Sequence, residues 1–234
     1  MTQALRLPSS VEEYAFLIRG QGHYAQANYG DGEWACMLGH SGENCNREVY
    51  NPYLASLLRE TLLRPAGQWC GSNPGKRLKA DADAWTQRCR IDVPWADKEI
   101  LVRANVEGRL GPWLEAVRTR RVVLVGPAHL AKLDAAVIGA FNFIGVAPRT
   151  AWEGWKRTCE DVKAGLRRGA DLVLFAAGMA TNIMVHELWP QCVDSGAITL
   201  HDVGALLDPY VGVWSRNPYR VAEWQRDILP RNLA

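Results

Sequence analysis

Four short, continuous apolar runs in the second half of the chain constrain its fold more than any other feature. The runs are Val122–Val125, Phe143–Val146, Leu172–Ala177 and Ile198–Val203. Segments with helical spacing separate them, and short buried strands that alternate with helices are typical of a parallel α/β sheet. We therefore predict a single α/β domain with a mostly parallel, Rossmann-like sheet.

The first half of the chain supplies further helices, a short strand and a second candidate strand at Gln68–Cys70. A capping pattern at Ser10 begins a helical repeat that Gly20 can end. His23–Tyr29 alternates enough to be a short strand, and Asn51 followed by proline opens a second helix. Another helix with a basic face is predicted over Lys76–Arg90. The sequence therefore predicts an N-terminal part, 1–119, and a C-terminal part, 120–234, that share one sheet.

Composition sets limits on the partners of this domain. The net charge of +2 and the pI near 8.2 give no footprint for strong sequence-independent DNA binding, yet they do not oppose an anionic ligand. No apolar run approaches the roughly 18 residues of a membrane span. The six cysteines fit no zinc template, and we interpret them as reduced thiols of a cytoplasmic protein.

The strongest chemical signal is the segment Asn28–Trp34, which reads Asn-Tyr-Gly-Asp-Gly-Glu-Trp. Its two carboxylates, Asp31 and Glu33, lie between glycines at the end of the predicted strand and can converge on one Mg²⁺ or Mn²⁺. Such an ion would bridge the pyrophosphate of a nucleotide sugar and stabilise the leaving nucleoside diphosphate. The alternative is an ordinary tight turn, because Asp-Gly turns are common.

A second candidate site is the turn Gly178–Asn182, between an apolar strand and a helix. Backbone N–H groups at a helix N-terminus suit phosphate, and Thr181 adds a hydroxyl. The alternative is a plain turn in which Thr181 or Asn182 caps the helix. Gly126–His129 follows another predicted strand and is a weaker candidate for the same cleft.

His201 and Asp202 end the last predicted strand, where active sites of α/β proteins gather. Either side chain is a candidate to accept a proton from an acceptor hydroxyl. The alternative is that His201 hydrogen-bonds to the backbone while Asp202 caps a turn. Asp208, which precedes a proline, is interpreted as a turn residue.

A strand followed by Gly-Asp-Gly-Glu and a helix resembles the signature of GT-D glycosyltransferases, whose Asp-x-Glu motif binds metal. Residues 170–182, with a Gly-x-x-Thr turn, and 199–208, with a last core strand and an acidic segment, resemble the same family. The resemblance is scattered over about residues 10–212, and only Gly-Asp-Gly-Glu is specific. Family members often carry Arg two residues before the first glycine of the motif, where this chain has Asn28.

The resemblance implies a metal-dependent glycosyltransferase with a GT-D-like fold. Asp31 and Glu33 would hold Mn²⁺ or Mg²⁺, and a UDP-sugar would be the donor. Asn28, Gly30 and the turn Gly178–Asn182 would contact the nucleotide. Because Asn28 replaces the usual arginine, the anchoring charge is either missing or supplied by another basic residue.

The acceptor is left open between a glycan and a hydroxymethylated base in phage-type DNA, the latter placing the enzyme in a host cytoplasm. Lys76 and Arg77 lie in a Gly/Pro loop and are candidates for diphosphate or acceptor contacts. Two alternatives remain. One is a Rossmann-like methyltransferase that binds S-adenosylmethionine without metal. The other is a non-enzymatic nucleotide-binding module.

Overall fold

The computed structural model of the protein describes residues 7–20, 24–65, 69–72, 74–221 and 223–234. The strands within these ranges are β1 Ala25–Tyr29, β2 Trp69–Ser72, β3 Trp95–Ala96, β4 Val122–Gly126, β5 Phe141–Gly145, β6 Leu172–Phe175 and β7 Thr199–Asp202. The helices are α1 Val11–Arg19, α2 Asp31–Met37, α3 Pro52–Leu63, α4 Lys76–Cys89, α5 Ile100–Val106, α6 Gly111–Arg118, α7 Ala135–Ile138, α8 Trp155–Arg167, α9 Ala180–Ser195 and α10 Leu229–Leu233. Short 3-10 helices lie at Ala128–Lys132, Ala151–Glu153, Asp208–Val211 and Asn217–Arg220, and a π-helical turn covers Trp224–Ile228.

All seven strands form one sheet in the order β3-β2-β1-β7-β6-β4-β5, and every paired neighbour is parallel. This confirms the predicted α/β domain with a parallel sheet. The pairing of β1 with β7, with Gln26 opposite His201, joins the N-terminal and C-terminal parts of the chain. Because parallel strands end at the same edge, the loops after β1 and β7 lie side by side. That edge is where α/β sheets bind ligands.

Helices cover both faces of β4 and β6, which explains why these two strands read as continuous apolar runs. In β4, Val123 and Val125 pack into the core beneath α2, α3, α8 and α9. The alternate residues Val122 and Leu124 pack into a second core beneath α1, α5 and α6. The period-2 alternation of a strand therefore divides its apolar side chains between two cores.

Most predicted elements of the first half form at or near their predicted bounds. Ser10 caps α1 by accepting the backbone N–H of Glu13 at 3.2 Å, and Asn51 caps α3. β1 begins at Ala25, whereas His23, the first residue of the predicted strand, lies outside the described residues. No helix in the described part of the chain is long and apolar enough to cross a membrane.

The Gly-Asp-Gly-Glu segment differs from its prediction. The sequence places the segment between a strand and a helix, but α2 begins at Asp31, so that both acidic residues lie in the first helical turn. The reason is a capping interaction in which the backbone N–H of Gly30 donates to Glu33 Oε2 at 2.8 Å. Acidic side chains in a first turn also favour the helix dipole.

Candidate active site

An open cleft of about 1030 Å³ lies at the carboxyl edge of the sheet. Its lining includes residues that follow five different strands. These residues are Asp31 after β1, Lys98 after β3, His129 after β4, Gly178 after β6 and Asp202 at the end of β7. The sheet topology therefore brings polar groups from both parts of the chain into one concave site, the usual form of a small-molecule site.

Asp31 is exposed on the cleft wall and links α2 to the start of α4. Its Oδ1 accepts a hydrogen bond from the backbone N–H of Gly75, the residue before α4. A Cβ atom at position 75 would lie 2.7 Å from Asp31 Oδ2, so the close approach requires glycine. This contact brings Arg77 to the cleft lining, with Lys76 exposed beside it.

Glu33 lies deeper in the cleft than Asp31. Burial raises the pKa of its carboxyl, while the Gly30 N–H and the Lys98 ammonium act in the opposite direction. A Cβ atom at Gly30 would lie 2.9 Å from Lys98 Nζ and 3.2 Å from Glu33 Oε2. The glycine of the motif therefore leaves room for a cation and a carboxylate to pack against the same backbone.

Lys98 is the main site residue that the sequence did not identify. It follows the two-residue strand β3 and packs over Gly71, where a Cβ atom would lie 2.6 Å from Lys98 Cβ. The side chain is only 20% exposed. A strand of two residues gives no periodic signal, so nothing in the sequence placed Lys98 at the carboxyl edge. It brings positive charge close to Asn28, where the resembling family often carries arginine.

Asp202 lines the cleft and is held by two backbone groups. Its Oδ2 accepts the N–H of Asn28 at 2.9 Å, and its Oδ1 accepts the N–H of Gly204 at 2.9 Å. Burial raises the pKa of this carboxyl to about 7, because the loss of hydration outweighs both hydrogen bonds. The side-chain amide of Asn28 in turn donates to the Asp202 carbonyl at 3.0 Å, so the pair fastens the end of β1 to the end of β7.

His201, the other predicted proton acceptor, lies away from the cleft. It is fully buried among the rings of Tyr14, Tyr24 and Trp113. Its Nδ1 is 3.1 Å from the Tyr24 hydroxyl, and burial lowers the pKa of the imidazole to about 3. Adjacent strand residues point to opposite faces, so His201 and Asp202 do not share a site. His201 serves the core beneath α1 and α6.

The turn at Gly178 lines the cleft, but a carboxylate of the chain already faces it. Glu48, which is fully buried, accepts the backbone N–H of Met179 at 3.2 Å and the Asn44 amide at 2.6 Å. A Cβ atom at Gly178 would lie 2.5 Å from Glu48 Oε2. Burial raises the pKa of Glu48 to about 7. No sequence pattern pointed to Glu48.

Thr181 and Asn182 lie beneath this turn and are fully buried. The Thr181 hydroxyl accepts the N–H of Ala177 at 3.2 Å, and the Asn182 amide donates to the Asn28 carbonyl at 3.0 Å. Both side chains therefore brace the loops after β6 and β1 from below. Of the predicted phosphate-binding turn, Gly178 is the member that reaches the cleft surface.

A histidine–aspartate pair lies on the cleft wall formed by the loops after β4 and β7. His129 Nε2 is 2.8 Å from Asp208 Oδ1. Asp208 is the first residue of the 3-10 helix Asp208–Val211, so its backbone lies in a turn as expected. The contact of its side chain with His129 was not predicted from the sequence. The expectation that His129 lines the cleft is confirmed.

Similar solved structures share this architecture, although no family model and no curated protein matches the sequence. One is described as a new glycosyltransferase (DUF1792) from Streptococcus sanguinis. It has 14% identity and a TM-score of 0.65, and the match covers 88% of this chain and 84% of that one. A second is described as showing that the highly conserved domain of unknown function 1792 has a distinct glycosyltransferase fold. It has 16% identity and a TM-score of 0.65, covering 94% and 88% of the two chains.

This chain has that glycosyltransferase fold. The likeness extends along most of both chains, and it agrees with the fold that the Gly-Asp-Gly-Glu segment implied. At these identities the comparison establishes the fold alone.

The glycosyltransferase fold raises the question of whether Asp31 and Glu33 fit a metal ion. Among the described residues, no group of three or more His, Cys, Asp or Glu side chains is arranged to hold one. Side chains two apart on a helix do not face each other, which also argues against a closed protein site. However, Mg²⁺ is usually held by one or two carboxylates together with substrate phosphates and water. Both residues line the same cleft, so an ion held there by either carboxylate would take its remaining ligands from substrate phosphates and water.

Proposed function

We propose that this protein is a glycosyltransferase that moves a sugar from a nucleotide sugar to an acceptor hydroxyl in the cleft. The observation that carries the proposal is the meeting of Glu33, Asp202 and Lys98 at the carboxyl edge of a glycosyltransferase-type sheet. Their charges act on one another. The Lys98 ammonium partly offsets the rise in the pKa of both carboxyls, and the Glu33 carboxylate adds to the rise in the pKa of Asp202. Such a cluster in a cleft is typical of a site that handles charge.

The donor proposed for this site is a UDP-sugar with its diphosphate near the start of α2. Asp31 and Glu33 would hold Mn²⁺ or Mg²⁺, which when bound neutralises charge on the diphosphate. The Lys98 ammonium contributes to the same task. A unit charge about 4 Å from a phosphate oxygen contributes about 4 kcal/mol at an effective dielectric constant of about 20.

The other residues of the cleft position this donor. Asn28 and Asp202 fix the two central strands relative to each other, which holds Gly30 and the first turn of α2 in place. Arg77, which follows the Gly75–Asp31 contact, lines the cleft and is available to an anion. The N–H groups after Gly178 form a second phosphate position only when the Glu48 carboxylate moves away.

For the acceptor we favour a glycan hydroxyl over a hydroxymethylated DNA base. DNA binding requires a basic surface, and α4 was the candidate for it. In the structure Lys79 of α4 pairs with Asp83 at 2.7 Å, and Asp81 lies on the same helix. This mixture of charges reduces the attraction for a phosphate backbone.

The test is turnover of UDP-glucose, UDP-galactose and UDP-N-acetylglucosamine with Mn²⁺ or with EDTA, with glycans and with DNA containing 5-hydroxymethylcytosine as acceptors. We expect metal-dependent release of UDP and transfer to a glycan. Transfer to the DNA base would select the other acceptor. Binding of S-adenosylmethionine without metal would support a methyltransferase, and UDP binding without turnover would support a non-enzymatic module.

Glu33→Gln is the matching variant, with Glu160→Gln on the exposed face of α8 as its control. We expect Glu33→Gln to lose most UDP release and to remain folded, because the amide oxygen still accepts the Gly30 N–H. Full activity of this variant would exclude a metal-binding role for Glu33.

A further inference from the structure

We propose that His129 is the catalytic base that deprotonates the acceptor hydroxyl and that Asp208 positions it. This inference rests on the proposed glycosyltransferase function and assigns a residue to its proton transfer. It starts from the 2.8 Å contact between His129 Nε2 and Asp208 Oδ1 on the wall of the cleft. In many enzymes a carboxylate bonds to one nitrogen of a histidine ring and orients the ring, while the other nitrogen accepts a proton.

The exposure of the two side chains matches these roles. Both side chains line the cleft, but His129 is 32% exposed, so a substrate can reach the ring, whereas Asp208 is only 10% exposed. Among the described residues, His129 Nδ1 has no hydrogen-bond partner. When Asp208 accepts the proton of Nε2, the lone pair of Nδ1 is left to accept a proton from substrate.

The backbone on both sides of the pair is anchored in the core. Leu130, next to His129, is fully buried, and so is Leu207, next to Asp208. The 3-10 helices that carry the two residues pack against each other. The imidazole is therefore held in place before substrate arrives, as a general base requires.

The other candidates in the cleft are less suited to this role. His201 is enclosed by aromatic rings and does not reach the cleft. Asp202 reaches it, but each of its carboxylate oxygens already accepts a backbone N–H. His129 also follows β4, three strands from β1 in the sheet order. At about 4.8 Å per strand, β1 and β4 lie roughly 14 Å apart, and this separation leaves room for a sugar between Asp31 and the base.

The step balances without any further reactant. His129 Nδ1 takes the proton of the acceptor hydroxyl while the hydroxyl oxygen forms a bond to the anomeric carbon. The bond from that carbon to the diphosphate oxygen breaks, and its electron pair leaves with the nucleoside diphosphate. The proton on His129 then passes to solvent. A single displacement of this kind inverts the configuration at the anomeric carbon.

The experiment measures UDP release from UDP-glucose and UDP-galactose, with water and with p-nitrophenyl β-glucoside as hydroxyl acceptors. We expect His129→Ala to lower kcat by about 100-fold or more, the scale of general base catalysis. UDP affinity and donor KM should stay at the wild-type values, and added imidazole should restore part of kcat. His186→Ala on α9, whose ring bonds to the Arg64 carbonyl, is the matched control.

Asp208→Asn tests the positioning role. We expect kcat to fall by about tenfold or more with donor KM unchanged, and the double variant with His129→Ala to be little slower than His129→Ala alone. His129→Gln replaces His129→Ala should the latter fail to fold. His129 variants within about threefold of wild type, a loss accompanied by weaker UDP binding, or retention of configuration in the product would overturn the assignment. Absence of UDP release by the wild type with both donors would instead overturn the proposed function.

Discussion

Glu48→Gln gives a quantitative test of the buried carboxylate beside the Gly178 turn. Burial raises the pKa of Glu48 from its ordinary 4.5 to about 7. The folded protein therefore keeps a proton that the unfolded chain releases, and this contribution to stability is complete below pH 4.5 and is lost as pH rises through 7. The difference in pKa corresponds to about 3 kcal/mol. Glutamine does not ionise, so the variant lacks this dependence.

The measurement is the free energy of unfolding in urea at pH 4.5 and pH 8.5 for both proteins. The amide oxygen of glutamine can still accept from Met179 and Asn44, and any fixed cost of the new amide group cancels between the two pH values. Relative to wild type, Glu48→Gln should gain about 3 kcal/mol on going from pH 4.5 to pH 8.5. Glu43→Gln, an exposed residue of the same loop, should gain less than about 0.5 kcal/mol. A Glu48→Gln difference that is equal at both pH values would refute the reasoning.

Three further substitutions test other parts of the account. Lys98→Met should lower kcat for UDP release by about 100-fold, because removing one group that stabilises developing charge has an effect of this size. The urea midpoint should change little. A wild-type kcat in this variant would show that Lys98 is not part of the site. Thr181→Ala should cost about 1 kcal/mol of stability and leave UDP affinity unchanged in calorimetry, because the hydroxyl bonds to Ala177 beneath the turn; weaker UDP binding would restore its predicted ligand role. Arg120→Met should lower the free energy of unfolding in urea by about 2–4 kcal/mol, because the buried guanidinium donates to the carbonyls of Ile18, Asp171 and Ala197. An unchanged urea midpoint would contradict this expectation.

Strands β4 and β6 were predictable from sequence because they are buried on both faces. Val122–Val125 and Leu172–Phe175 are continuous apolar runs that are too short for a core helix, and this length favours buried strands. The two-residue strand β3 was missed because it has no period. The order of the strands in the sheet cannot be read from the sequence, so the contact between Asp202 and Asn28 was not predicted.

Site residues that belong to one local motif were predictable from sequence. Site residues that only the tertiary fold brings together were missed. Asp31 and Glu33 stand in one motif, and the structure places both at the cleft. Lys98, Glu48 and the contact of His129 with Asp208 depend on residues far apart in the chain. His201 and Asp202 are neighbours in sequence, but the alternation of a strand sends only Asp202 to the cleft.

The most direct test of the proposed donor site is a crystal structure of the protein with UDP and Mn²⁺, using the anomalous signal of manganese to locate the ion. We expect a manganese peak at the carboxylates of Asp31 and Glu33, with the diphosphate beside it and Lys98 Nζ facing a phosphate oxygen. UDP bound outside the cleft, or no binding of UDP at all, would contradict the proposed function.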